Sequence, residues 1–417
     1  MKETNWHAEA HVAAPDMVPG SDRSTGPGPS VIVLLTCAMA FSMMQLFLLG
    51  ALGPRLVGEL GISRTVLGLT TTAGFGIAAS LSPVAGRLVD RVGPRRCLVA
   101  LLLTAAAALA MIGAAPGPTV LLIAVALGGL PQALANPATN KVILGAFPPA
   151  RRGSVTGFKQ SGVQFGAFAA GLPLSLLAAG VGWRGAVWAA AGTAAVAAVW
   201  AARALPSDPA VAAAGGARPV TSPRGVVWRL AAFSLLLGCG IASVNTYLAL
   251  FGTQRLGLAP TPAAALLATL GVAGIGGRVA WSRSAGRPGR AAALPALLAA
   301  GAVGAALLLA ASLPVHLLAW PAVVAVGVFA VSANAVSMVL VMQRAAPGKA
   351  GADSALVSAG FFAGFALGPP LFGELVSATG YGPGWLLVAV EFAGAALVAL
   401  PRLLRRVDGS DLSEGRP

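Results

Sequence analysis

Twelve long apolar runs, separated by short polar stretches, constrain this chain more than any other feature. They fall at about 31–53, 64–85, 96–115, 118–146, 154–180 and 185–203, then at 226–252, 262–282, 291–312, 315–343, 352–379 and 384–401. A helix needs roughly 20 apolar residues to cross the hydrocarbon core of a bilayer. A chain in lipid must also satisfy its backbone polar groups within each segment, which makes these runs helices. Composition agrees. Hydrophobic residues make up 57% and charged residues only 10%, where soluble domains carry about 25% charged residues. That is too little polar material to cover a water-facing surface. A soluble enzyme, a disordered protein and a secreted disulfide scaffold are excluded. The three cysteines, Cys37, Cys97 and Cys239, lie far apart and show no metal spacing. The fold class is an all-α integral membrane protein with twelve transmembrane helices.

Residues 1–30 are polar and rich in Pro, Gly, Ser and Asp, which reads as a disordered tail. Residues 31–203 form a first six-helix bundle and 226–401 a second. Between them, 204–225 is a linker carrying Pro206, Asp208, Pro209, Gly215, Gly216, Pro219 and Pro223, and 402–417 is a short tail. The net charge of +15 does not mark a nucleic-acid binder, because the basic residues sit in clusters on alternate loops with no continuous basic face. One set of loops holds Arg87, Arg91, Arg95, Arg96, Arg151, Arg152, Arg203, Arg218, Arg224, Arg229, Arg278, Arg283, Arg287, Arg290, Arg344 and Lys349. The other holds Arg55, Arg64, Arg184 and Arg255. Sixteen against four places the first set, the linker and both tails in the cytoplasm. The location expected is the plasma membrane, multi-pass, with both termini cytoplasmic.

A shift of 198 residues lays Gly153, Gly162 and Gly166 on Gly351, Gly360 and Gly364, Asn136 on Asn334, and Gly182 on Gly380. Spans 4–6 thus resemble spans 10–12. Parallel halves of this kind are a transporter architecture with the substrate near the midplane between them.

The most specific stretch is Gly86-Arg87-Leu88-Val89-Asp90-Arg91-Val92-Gly93-Pro94-Arg95-Arg96-Cys97-Leu98, between spans 2 and 3. Gly86 and Gly93 permit close approach and a tight turn. Asp90 is a lone carboxylate among arginines. It can pair with one of them or sit at a helix N-terminus, which favours an anion. Such a loop can latch one state of a two-state protein. The stretch resembles the signature loop of the major facilitator superfamily, G-x-L-A-D-R-x-G-R-K-x-x-L. Gly86, Leu88, Asp90, Arg91, Gly93 and Leu98 match, Arg95 replaces the Lys, and Val89 and Pro94 depart. Gly182-Trp183-Arg184 is similar to that family's turn after helix 5. The resemblance implies two pseudo-symmetric six-helix bundles and rocker-switch transport. It also implies a latch of Gly86, Asp90, Arg91, Gly93, Arg95 and Arg96 that stabilises the outward-open state. The second-half copy, Gly277-Arg278-Val279-Ala280-Trp281-Ser282-Arg283, has Trp281 where the acid would stand.

Polar residues inside membrane spans are costly and tend to face a cavity. Span 4 carries Gln132, Asn136 and Asn140 on one helical stripe, with Pro131 and Pro137 to bend it. Span 5 carries Lys159, Gln160 and Gln164, span 1 Gln45, span 7 Asn245 and Tyr247, and span 10 Asn334. In the superfamily, helices 1, 4, 7 and 10 line the cavity and helix 5 contributes. The expected substrate-binding set is therefore Gln45, Gln132, Asn136, Lys159, Gln164, Asn245, Tyr247 and Asn334. The alternative for each amide is an interhelical hydrogen bond, worth about 0.6 kcal/mol on average.

Lys159 is the sharpest position. No Asp or Glu occurs in spans 1, 4, 5, 7 or 10 to neutralise it, and an unpaired cation at a cavity wants an anion. Lys159-Gln160-Ser161-Gly162 resembles a K-Q-[AS]-G segment of helix 5 in bacterial superfamily members. The alternative is snorkelling to the interface, which applies also to Lys141. The intramembrane acids are Glu374, a possible proton-coupling group, and Glu391, read as structural. Gly364-x-x-x-Gly368-Pro369 in span 11 permits close packing and a kink. No P-loop, zinc site or Ser/His/Asp array is present in the sequence. The function expected is secondary transport of a small solute, favoured a small organic anion, by a monomer in a lipid bilayer, with protons as a possible partner. No catalysis, metal, cofactor or nucleic acid is expected. The alternatives are proton-driven efflux of a hydrophobic drug or metabolite and, from another class, a non-transporting receptor or membrane enzyme.

Overall fold

A computed structural model describes residues 29–208, 225–285, 293–344 and 350–400, and among them it is entirely helical with turns. The tail at 1–28, most of the linker (209–224) and the tail at 401–417 lie outside the described residues. The helices are α1 (Pro29–Leu60), α2 (Arg64–Val92), α3 (Pro94–Ala114) and α4 (Pro118–Ala146). They continue with α5 from Pro149, α6 to Ala204, α7 (Gly225–Gln254), α8 (Pro260–Ala285) and α9 (Leu294–Ala311). The last three are α10 (316–344), α11 (Ala350–Thr379) and α12 (Tyr381–Val398). Among the described residues, eleven segments are long and apolar enough to cross a membrane. One of them, Pro173–Ala204, contains a reversal at Gly182, where φ is 78° and ψ 162°. Its first part therefore belongs to α5, which runs through Leu172 to that turn, and α6 begins at Trp183. The chain kinks at Leu172 because Pro173 has no N–H and its ring crowds the preceding turn. Hydrogen bonds from the Leu172 N–H to Phe168 and from the Leu176 N–H to Leu172 carry the helix across.

Side chains such as Val196, Val390 and Leu317 are more than 60% exposed. Large apolar residues on the outside, with amides and a lysine inside, are the arrangement that lipid demands. Call the end where Pro29 begins and Val398 finishes the terminal face, and the other end the far face.

The weak sequence repeat has a packing cause. A Cβ on Gly162 or Gly166 of α5 would meet the carbonyls of Thr36 and Ala40 on α1. One on Gly360 or Gly364 of α11 would meet the carbonyls of Ala231 and Leu235 on α7. Each pair lies one turn apart and lets two backbones touch, the small-residue packing of membrane helices. Gly182 and Gly380, also related by the shift, are both positive-φ turns, at 78° and 89°. Two pseudo-symmetric six-helix bundles result.

Three expectations are corrected. The signature stretch is not a loop. α2 continues to Val92, only Gly93 breaks the helix (φ 99°), and Pro94 opens α3. Gly86 is helical with nothing near its Cβ position, so it makes neither a turn nor a close contact. Arg278, counted as a loop cation, lies inside α8. Of the two prolines of α4, Pro131 follows an interruption of the helix at Gly128, whereas Pro137 sits inside the unbroken segment Gly129–Ala146.

Candidate functional site

Lys159 is 0% exposed. It lies about 15 Å along α5 from Pro149 at ~1.5 Å per residue, so it does not snorkel. Its Nζ donates to Thr139 Oγ1 (2.6 Å), Asn140 Oδ1 (2.7 Å) and Asn136 Oδ1 (3.3 Å) on α4. Gln160 Nε2 donates to the same Asn136 oxygen at 2.9 Å. The stripe on α4 is thus an oxygen cradle for a cation. All three acceptors are neutral, and the ion pairs among the described residues are elsewhere, Lys141–Asp90 and Arg184–Glu59. Thr139 is the member that sequence reading missed. Its position three residues after Asn136 was the available signal, since residues three apart share a helix face.

The remaining expected contacts divide. Gln132 is 2% exposed, and neither its Oε1 nor its Nε2 has a protein partner. Gln164 is buried against the α5–α8 seam, where a Cβ on Gly274 would stand 2.7 Å from its Nε2. Gln45 bonds α1 to α4 through the Val125 carbonyl at 3.3 Å. Asn245 Nδ2 donates back to the Ile241 carbonyl one turn earlier in its own helix (2.7 Å), with Oδ1 unpartnered, and Asn334 Oδ1 is likewise buried and unpartnered. Tyr247 stands apart from the Lys159 cradle. Its hydroxyl donates 2.6 Å to the Arg64 carbonyl at the far face, so it belongs to a seal between the halves.

That seal is extensive. Arg64 donates to Gln254 (3.1 Å) and lies over the Tyr381 ring, while Thr65 donates to Glu374 (3.0 Å). Arg55 reaches Thr261 at 3.4 Å, and Thr72 donates to the Ala366 carbonyl at 2.6 Å. Below them, Phe75 packs on Phe362 and Phe365, with ring centroids 5.8 and 4.7 Å away. Glu374 is therefore not a buried intramembrane acid. It is exposed near the far end of α11, which ends at Thr379. Two carboxyls are buried among the described residues, Asp353 in the first turn of α11 and Glu391 of α12, whose Oε2 has no protein partner.

At the terminal face, the signature residues bond within the N-terminal half and to the start of the linker. Asp90 pairs with Lys141 of α4 at 2.7 Å rather than with an arginine, and Lys141 also reaches the Val89 carbonyl. The helix terminus expected to attract Asp90 is taken by Asp208. Its two carboxylate oxygens accept from the backbone N–H groups of Arg95 and Arg96, each at 2.9 Å. An anion at the first turn of α3 offsets the basic residues there. A Cβ on Gly93 would collide with the Asp208 carboxylate. Arg95 further donates to Ser207 and to the Ala202 carbonyl. Arg91 and Arg96 present exposed side chains.

Two six-helix halves, sealed to one another at the far face and enclosing a cation without a counter-charge, define a multi-pass secondary transporter. The profile of the Major Facilitator Superfamily matches residues 34–358, and the chain belongs to that superfamily. It is 29% identical over 400 residues to an uncharacterised MFS-type transporter of Mycobacterium tuberculosis, covering 91% of this chain and 87% of that protein. It is 30% identical over 392 residues to a chloramphenicol resistance protein of Streptomyces lividans, covering 89% and 95%. Its fold is similar to that of the human organic anion transporter MFSD10 (TETRAN), with TM-score 0.69 and 17% identity over 89% of this chain and 99% of that one. A bacterial homologue of the human lysosomal transporter Spinster, inward-facing and unoccupied, gives TM-score 0.64 and 16% identity over 91% and 95%.

Proposed function

We propose that the protein carries a small organic anion across the plasma membrane by alternating access, as a monomer driven by a solute or proton gradient. Both termini and the terminal face are cytoplasmic, following the excess of basic residues there. On that orientation the far-face contacts Arg64–Gln254 and Thr65–Glu374 join the halves on the outer side. The observation that carries the anion reading is Lys159, fully buried and held only by neutral oxygens. Charge interactions gain strength as the dielectric falls. An anion arriving beside this cradle therefore meets an attraction that no protein carboxylate has cancelled. Gln132, buried with unpaired donor and acceptor, is the neutral contact we place beside it. The test is uptake into proteoliposomes of radiolabelled acetate, succinate and benzoate against the matched neutral amides. Carboxylate uptake that Lys159→Gln abolishes and Lys159→Arg partly keeps is the expected result; normal uptake by Lys159→Gln contradicts it.

A second reading, efflux of a hydrophobic compound, is favoured by the Phe75, Phe361, Phe362 and Phe365 cluster at the α2–α11 seam. The chloramphenicol resistance protein among its relatives points the same way. Export of chloramphenicol by the same liposomes, without carboxylate uptake, would establish it.

A further inference from the structure

Arg278, in the second-half copy of the signature stretch, lies inside α8. Together with Gly271 and Gly274 it meets α5 in antiparallel register. A Cβ on Gly271 would stand 2.8 Å from the Gln164 carbonyl, and one on Gly274 would stand 2.7 Å from the Gln164 amide. One turn further on, Arg278 Nη1 donates 2.9 Å to the carbonyl of Gln160, one turn before Gln164. Gln160 in turn shares the Asn136 oxygen with Lys159. The C-terminal half thus brings a guanidinium to the level of the buried lysine of the N-terminal half. No carboxylate among the described residues pairs with either.

Arg278 is underused by what it touches. A guanidinium has five N–H donors in a planar fork. One is spent on a carbonyl that already belongs to a helix. Nε is buried with no acceptor, and Nη2 makes no hydrogen bond with the described residues. The Nε–Nη2 edge is one that accepts a carboxylate bidentately. Lys159 faces α4 and Arg278 faces α5, with Gln160 linked to both groups.

We propose that Arg278 is the C-terminal half's contact for the substrate, taking its carboxylate through the Nε–Nη2 edge while Lys159 supplies charge from the opposite half. The inference rests on the anion reading above and names a direct contact within it. An anion held by both cations would tie the two halves to each other at the depth where Arg278 touches Gln160.

The test is thermal unfolding of the purified full chain in detergent with acetate, succinate or benzoate at millimolar concentration, each beside its neutral amide. At least one carboxylate should raise the unfolding midpoint of the wild type where its amide does not. In Arg278→Gln the concentration needed for half that shift should rise about tenfold or more, corresponding to about 1.4 kcal/mol per tenfold. Arg278→Lys, which keeps charge and loses the fork, should fall between. A lowered midpoint without ligand but unchanged carboxylate affinity would make Arg278 only a structural tether, leaving the anion reading intact. No carboxylate effect on the wild type would overturn the anion reading and this contact with it. Should Arg278→Gln not yield folded protein, Arg278→Lys decides alone: wild-type carboxylate affinity there overturns the proposal.

Discussion

At the residue scale, the informative side chains are those whose partners differ from what their neighbours in sequence offer. Asp90 sits among arginines, yet its partner is Lys141, some fifty residues away. The arginines beside it point elsewhere: Arg95 bonds Ser207 and the Ala202 carbonyl, and Asp208 takes the helix terminus. The Asp90–Lys141 pair is substantially exposed, at 65% and 38%, and exposed pairs contribute only about 0.2–1 kcal/mol. Its value lies in the balance between states rather than in stability. Lys141→Gln and Asp90→Asn should therefore slow transport alike while leaving the unfolding midpoint nearly unchanged. The double variant should be no worse than either one, and the exchange Asp90→Lys with Lys141→Asp should recover rate. Transport kinetics and a thermal melt on the four proteins check this; strictly additive losses would show that the two act separately.

At the element scale, glycine decides which helices touch. Gly162 of α5 has no room for a side chain against Thr36, whereas Gly180 on the same helix has open space around it. Overpacking of a close contact costs about 1–3 kcal/mol. Gly162→Val should lower the unfolding midpoint by several degrees, and Gly180→Ala should leave it unchanged or slightly raised. An equal effect of the two in a melt would remove the packing account of the repeat. These elements were largely legible beforehand, since apolar length, the 198-residue shift and the Gly182 turn are local signals. The helical continuation of α2 to Val92 was not. Charged residues in a helix that leaves the membrane look the same in sequence as charged residues in a loop. Arg278 was misread for the same reason. One arginine near three others reads as a cytoplasmic cluster, and only the antiparallel register of α8 on α5 shows it inside. Lys159 could be singled out from the lack of nearby acids, but its oxygen cradle needed Thr139 and the rotation of α4. Tyr247 looked like a cavity residue because span membership gives depth only to within several residues. A shift of that size separates the midplane from the seal.

At the scale of the whole molecule, the two halves meet at the far face through Arg64–Gln254 and Thr65–Glu374 and at the α5–α8 seam through Arg278. The proposed orientation rests on the distribution of basic residues, so Ser222→Cys, in the linker outside the described residues, should resist an impermeant thiol reagent added to intact cells. Labelling from outside would invert the proposed topology. The central claim is that transport requires this far-face seal to open and close around the buried cations. The direct measurement is counterflow of a carboxylate in proteoliposomes, using Thr65→Cys/Glu374→Cys in a background without Cys37, Cys97 and Cys239. Thr65 and Glu374 join the halves at 3.0 Å, so a short, reducible thiol cross-linker can tie them. Counterflow should stop when the pair is cross-linked and return on reduction, with either single-cysteine protein unaffected. Undiminished counterflow through the cross-linked protein would contradict the account.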